Sequence, residues 1–287
     1  MRCVAPVDDR VQRGLNSVLP ISCFTCPRAL FGPTMSLPCR VGGCMAQKRP
    51  NIPESVKRQI RQRCGFGCVI CGLPLYEYEH IAEWSAVKRH DPDEMTLLCP
   101  THHAEKTRGL LPVAEVKSAD QAPFNFRSGQ SESFPLRYSG DSCLVSIGGS
   151  IWRHEFTQDA VVPLLVIRGC AVIEVKKQDE RLLLSLRVYN KQAKPLLQIV
   201  ENELVFSTSS WDVELVGRLL TIRGGSRDIL VQMEFQTPDA ILITRGVFAF
   251  GGAQIQVEPD HIHLPKYNIR MAGYSARGNG GSALRFD

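Results

Sequence analysis

Between Cys68 and Lys106 the chain carries two pairs of soft metal ligands at matching spacing, Cys68-Val-Ile-Cys71 and Cys99-Pro-Thr-His102. A two-residue gap lets both side chains of a tight turn face one ion. Two such turns complete a tetrahedral shell, and three cysteines with one histidine form an established structural zinc set. So short a segment has little core of its own, and a bound ion replaces what packing cannot supply. The alternative is a scatter of buried thiols, but paired spacings within one segment argue for metal. Cys68, Cys71, Cys99 and His102 are therefore the expected zinc ligands. Cys64, four residues upstream, ranks below them because Cys68-Val-Ile-Cys71-Gly72 has the usual knuckle form.

The loop between the two pairs is longer than in a simple zinc finger, so something is inserted there. Tyr76-Glu77-Tyr78-Glu79-His80-Ile81 alternates in the manner of a short strand. Glu79 and His80 leave opposite faces of that strand if it is regular, whereas a bend lets both reach one phosphate. Pro100 and Thr101 open a helix running through Thr107, with Gly109 as its stop. His103 and Lys106 are three apart and share a face of it.

These residues resemble the HNH endonuclease family, whose core is a ββα-metal motif. The matching positions are Cys68-x₂-Cys71, Glu79-His80-Ile81, Leu97-Leu98-Cys99-x₂-His102-His103 and Lys106, within about residues 53 to 110. The resemblance implies that His80 is the general base activating water and that Glu79 and His103 hold a divalent metal on the scissile phosphate. Histidine titrates near neutrality and suits the first role. A hard cation such as Mg²⁺ suits the carboxylate of Glu79, while His103 as a softer ligand shifts the preference toward Mn²⁺, Ni²⁺ or Zn²⁺. Lys106 is expected on a phosphate. The chain departs from the family pattern in three places. Glu79 stands where Asp or His is commoner, and His102 replaces the commoner fourth Cys. Glu94 stands where a middle Asn braces the loop carrying the base; a carboxylate cannot donate that hydrogen bond, so Glu94 is expected to support the loop otherwise or to touch a metal-bound water.

The net charge of +5 permits nucleic-acid binding without announcing it. Residues 45–110 hold ten Lys or Arg against eight Asp or Glu, so phosphate attraction must come from placement. Lys57, Arg58, Arg61 and Arg63 on a predicted helix over residues 53–63, and Lys88-Arg89-His90, are candidate phosphate contacts; a solvated surface is the plainer reading of both. No apolar run is long enough to span a bilayer. Seven of the eleven cysteines precede residue 70, and their clustering fits metal in a reducing compartment, hence a cytoplasmic protein, better than a disulfide scaffold.

Residues 1–44 mix Pro, Arg, Ser and Cys with little periodicity and read as a disordered leader or a misassigned extension ahead of Met45. Cys23-x₂-Cys26 with Cys39 and Cys44 is a loose second metal set. The nuclease module is expected over 45–118, with a short helix at Val113–Ser118. Residues 119–140, rich in Ser, Gly, Pro and Gln, read as a linker. From Asp141 to residue 271 short aliphatic runs alternate with turn signals such as Gly148-Gly149 and Gly251-Gly252, which indicates an all-β domain, a sandwich or a curved sheet. His261-Ile-His263 reads as ordinary surface, Trp211-Asp212 as an isolated pair, and 272–287 as a flexible tail.

The fold expected is therefore α+β: a small zinc-stapled ββα-metal module followed by an all-β domain. The expected activity is metal-dependent hydrolysis of phosphodiester bonds in DNA. The alternative is a non-catalytic zinc-stabilised DNA- or protein-binding adaptor whose β domain serves oligomerisation or sensing. A homo-oligomer through the β domain fits either.

Overall fold

Helix α1 (Glu54–Arg63) follows Pro53, whose fixed φ suits a helix start, and carries Glu54 in its first turn and two arginines in its last, as the helix dipole favours. The computed structural model describes residues 50–278 and 284–286. The leader, its cysteines and Met45 lie outside the described residues. After α1 the chain turns through Gly65 and Phe66, both at positive φ. It then forms the knuckle and enters strand β1 (Glu77–His80). A loop holding α2 (Trp84–Val87) and a 3₁₀ turn (Pro92–Glu94) leads to β2 (Met95–Leu98). β1 and β2 pair antiparallel, with Glu79 opposite Thr96 and His80 opposite Met95. Helix α3 (Pro100–Thr107) begins on Pro100 and is followed by Gly109 at φ +73°. Ile60, Cys64, Val69, Met95, Leu97, Leu98, Leu111 and Val116 form the module's small core.

Residues 119–140, expected as a linker, are ordered packing instead. The end of helix α4 (Val113–Gln121) and helix α5 (Phe124–Ser128) open the stretch. The Phe124 amide donates to the Val69 carbonyl and buried Asn125 donates to the Gly65 carbonyl. Farther on, the Ser131 and Leu136 amides donate to carbonyls of Phe206 and Asn202. The segment is fastened to the knuckle at one end and to the β region at the other.

The β region is antiparallel for the most part. One sheet runs in pairing order Asp212–Val216, Leu219–Gly225, Asp228–Gln236, Ala240–Phe250, Ser142–Ile147, Ser150–Glu155 and Ser275–Gly278. The second runs Phe134–Pro135, Glu203–Phe206, Pro195–Val200, Arg181–Tyr189, Cys170–Gln178, Ala160–Ile167 and Leu284–Phe286. The long strand Ala240–Phe250 belongs to both. Its first half pairs with Asp228–Gln236 and its second with Ala253–Glu258, Tyr189 touching it at Val247. The change of partner follows a register shift at Thr244 and falls on Gly246, where an added Cβ would come within 3.2 Å of Val188. Bulges and glycines are the usual means by which a strand passes from one sheet to the other.

Through this shared strand the strands close into one barrel-like system instead of the open curved sheet or the two separate layers expected. A single apolar core fills it, drawn from both sheets and including Ile147, Ile167, Val188, Phe206, Ile222, Met233 and Phe248. Phe66, from the turn after α1, is buried in the same cluster. The small module and the β region consequently form one compact unit from Pro50 onward. Within 272–287, expected as a flexible tail, the described segments Ser275–Gly278 and Leu284–Phe286 each pair parallel with a strand of the β region. No helix among the described residues is long and apolar enough to cross a membrane.

Candidate functional site

Cys68, Cys71, Cys99 and His102 converge, and their ligand atoms all lie within 4.8 Å of one another. Cys71 Sγ is 3.8 Å from Cys99 Sγ, and His102 Nδ1 is 3.4 Å from Cys68 Sγ and 3.2 Å from Cys99 Sγ. A tetrahedral ion with Zn–S bonds of about 2.3 Å and a Zn–N bond of about 2.0 Å sets sulfurs about 3.8 Å apart and sulfur and nitrogen about 3.5 Å apart. Donor set and edges agree, so the cluster can hold a metal ion and is compatible with structural zinc. A hydrogen bond from the Cys71 thiol brings the Cys68 thiol well below its ordinary range, against the opposing effect of burial; a thiolate is the form a metal binds. Cys64 lies outside the cluster. Burial pushes its thiol up to about 12, and its Sγ lies near Thr96 and Asp120.

The helix that the cluster staples carries His103 and Lys106 toward β1. Alternation along the strand turns Glu77 and Glu79 to the side of α3. His103 Nε2 lies 3.1 Å from Glu79 Oε2, and its Nδ1 lies 3.4 Å from Glu77 Oε2. Lys106, buried, donates from Nζ to Glu79 Oε1 at 2.7 Å and lies 3.9 Å from Glu83. The ammonium of Lys106 is thus placed on Glu79 in this arrangement.

His80 departs on the other face of β1, because the strand stays regular through its last residue. It is 4 % exposed. Its ring packs 5.0 Å from Trp84 and 5.2 Å from His90, centroid to centroid. Nε2 contacts the Arg89 carbonyl at 3.1 Å. A carbonyl only accepts, so Nε2 carries a proton. Of the site residues expected from sequence, Glu79, His103 and Lys106 are brought together, and His80 is held apart from them by the pleat.

Glu94 acts through Arg89. Arg89 Nε donates to Glu94 Oε2 at 3.0 Å and Nη2 reaches the other carboxylate oxygen, while the Glu94 carbonyl accepts from Ile81. The missing donor at position 94 is supplied by Arg89, and the carbonyl of that same Arg89 holds His80. Arg89 was a candidate phosphate contact or a plain solvated residue; it stays exposed, and its bond to Glu94 is not visible in the motif. His90, its neighbour, stacks on Trp84 and contacts the Pro50 carbonyl at 2.8 Å.

The basic face of α1 is also turned inward. Arg61, 1 % exposed, donates to both oxygens of Asp212 at 2.8 Å, to Glu214 at 2.9 Å and to the Tyr78 hydroxyl at 2.7 Å. Arg58 reaches Asp212 and lies over the Trp211 ring, and Gln62 donates to the Trp211 carbonyl. Arg63 pairs with Asp120 and with the carbonyls of Pro92 and Met95. The arginines of α1, read from sequence as phosphate contacts or solvated surface, are instead ion-pair partners of acidic groups distant in sequence. Trp211-Asp212 is the docking point of α1, and no local pattern marks it.

His261 and His263 lie with ring centroids 6.5 Å apart, and His261 pairs with Asp260. Nothing in their surroundings adds a third ligand among the described residues. Comparison of the chain with protein-family models, curated proteins and solved structures finds no match, so its function is argued from the geometry of this site.

Proposed function

We propose that the chain is a metal-dependent endonuclease of the ββα-metal type that hydrolyses phosphodiester bonds in DNA. The observation that carries this reading is the convergence of Glu79 from β1 and His103 from α3 at 3.1 Å, on a helix pinned by the Cys₃His cluster. Structural zinc in that cluster sets the position and tilt of α3 and thereby of His103. Glu79 and His103 would hold a divalent cation, Mg²⁺, Mn²⁺ or Ni²⁺. When bound, such a cation neutralises charge on the phosphoryl oxygens and on the leaving 3′ oxygen.

The chain's own groups do the rest. His80 accepts a proton from water, its ring held by the Arg89 carbonyl. The Glu94–Arg89 pair holds the loop that provides this carbonyl. Lys106 holds Glu79 by Oε1, which leaves Oε2 facing His103 and the cation. The reading requires His80 and the Glu79–His103 pair to address one phosphate across the end of β1.

A second reading is favoured by one observation, the burial of His80 among Trp84 and His90. In it the module is a zinc-stabilised DNA- or protein-binding adaptor. Nicking of supercoiled plasmid with Mg²⁺, Mn²⁺ or Ni²⁺ separates the two. The nuclease reading expects nicking by the wild type that is lost in His80→Ala. Equal nicking by both proteins removes the activity from this site, and DNA binding without cleavage leaves the adaptor.

A further inference from the structure

We propose that Glu77 is the residue that aims His103 at the cation; this rests on the nuclease reading above. Glu77 and Glu79 are two apart on β1 and share the face turned to α3, and they meet different nitrogens of one ring. Glu79 Oε2 lies against Nε2 and Glu77 Oε2 against Nδ1. A metal-bound imidazole presents one lone pair to the ion and directs its other N–H to an acceptor, commonly a carboxylate. Without a cation Nε2–H donates to Glu79 Oε2; with a cation between these two atoms the ring proton would sit on Nδ1 instead, where Glu77 Oε2 at 3.4 Å is the acceptor in reach.

The same logic fixes the oxygen. Lys106 occupies Glu79 Oε1 at 2.7 Å, which leaves Oε2 as the atom beside Nε2. The donor atoms of the site are then Glu79 Oε2 and His103 Nε2. Glu77 stands behind the ring and is not itself a ligand, because it faces the nitrogen remote from Glu79. Glu77 is about half exposed, so its effect is on ring orientation and not on burial of charge. Nothing in the resemblance to ββα-metal nucleases selects Glu77; its position relative to α3 does.

The test is Mn²⁺ binding to the full-length, zinc-loaded protein, measured by titration calorimetry and by the electron paramagnetic resonance signal of free Mn²⁺. Glu77→Ala is expected to weaken binding by about 10- to 100-fold, the usual range for losing an outer partner of a metal-bound histidine. Glu77→Gln is expected to lose less, because its amide oxygen still accepts from Nδ1–H. Zinc content and melting temperature should match the wild type in both. Wild-type affinity in Glu77→Ala, with binding abolished in Glu79→Gln, overturns the role of Glu77 and leaves the nuclease reading in place. Equal losses in the Ala and Gln variants also overturn it, since they point to charge alone. Absence of Mn²⁺ binding in the wild type, or full binding by Glu79→Gln, overturns the metal site itself.

Discussion

Arg61 and Asp212 form a two-armed ion pair, 2.8 Å on each arm, in which both side chains are 1 % exposed. The residues are 151 positions apart, so the pair joins α1 to the β region. Burial works against the charge on Arg61, and Asp212 together with Tyr78 and Tyr76 outweighs it, holding the guanidinium above its ordinary pKa. Arg61 also holds the Tyr78 hydroxyl, so the β region reaches, through one arginine, the strand that carries Glu79 and His80.

Removing one member of a buried pair leaves the other charge uncompensated, at a cost of about 3–5 kcal/mol. Asp212→Ala is expected to lower unfolding stability by that amount in urea titration. The double variant Arg61→Met with Asp212→Ala should cost clearly less than the sum of the singles, as coupled partners do. Additive losses would show that the two side chains do not act as a pair.

Metal removal is the second test. Structural zinc sites of this donor type contribute on the order of 10 kcal/mol to folding in small zinc modules. One zinc per chain is expected by elemental analysis. Chelation, or Cys99→Ser, should release zinc and melt the ββα segment, read as loss of amide protection over residues 64–107. Retained protection in a zinc-free protein would show that the apolar core around Leu97 and Val116 suffices.

Glu94 and Arg89 separate positioning from stability. Their pair is exposed, and Glu94→Ala should leave the melting temperature little changed. The same change frees Arg89, whose carbonyl holds His80, and a displacement of about 1 Å in a catalytic group is costly, up to roughly 100-fold. Nicking by Glu94→Ala should therefore fall by tens of fold, roughly, with affinity for DNA unchanged. A parallel loss of folding and nicking would make Glu94 a structural residue only.

His154 provides a pH dependence. It is buried against Phe156, and desolvation lowers its pKa, with Glu155 acting weakly the other way. As pH falls, the unfolded chain takes up this proton first. The contribution is fully present above the ordinary histidine pKa of about 6.5 and is lost as pH drops through that value toward the lower folded one. Urea midpoints at pH 7.5 and 5.5 should fall further in the wild type than in His154→Gln. An equal fall in both would assign the acid sensitivity elsewhere, for instance to the metal ligands.

The parts of the fold legible in sequence are those with local causes. Pro53 and Pro100 start helices, Gly109 ends one, and the paired spacing of Cys68, Cys71, Cys99 and His102 brings four ligands to one point. Aliphatic runs mark most strands, and Gly148-Gly149 makes a two-residue turn from Ile147 to Ser150. Illegible elements depend on distant partners. Asp212–Val216 lacks a long aliphatic run and owes its place to arginines of α1. The aliphatic runs 240–243 and 247–250 belong to one strand, because Gly246 bends the chain without ending its pairing. The Gly- and Ser-rich end pairs through backbone hydrogen bonds, which need no apolar side chain. At the site, the convergence of Glu79 and His103 was legible from the motif, whereas the brace through Arg89 required a carbonyl that no side-chain pattern encodes.

The most direct measurement is the rate of plasmid nicking at saturating Mn²⁺ by wild-type and His80→Ala proteins matched for zinc content and melting temperature. A general base contributes about 10²–10⁴-fold, so His80→Ala is expected to be at least about 100-fold slower. Equal rates would contradict the assignment of His80, and the absence of nicking in the wild type would contradict the nuclease.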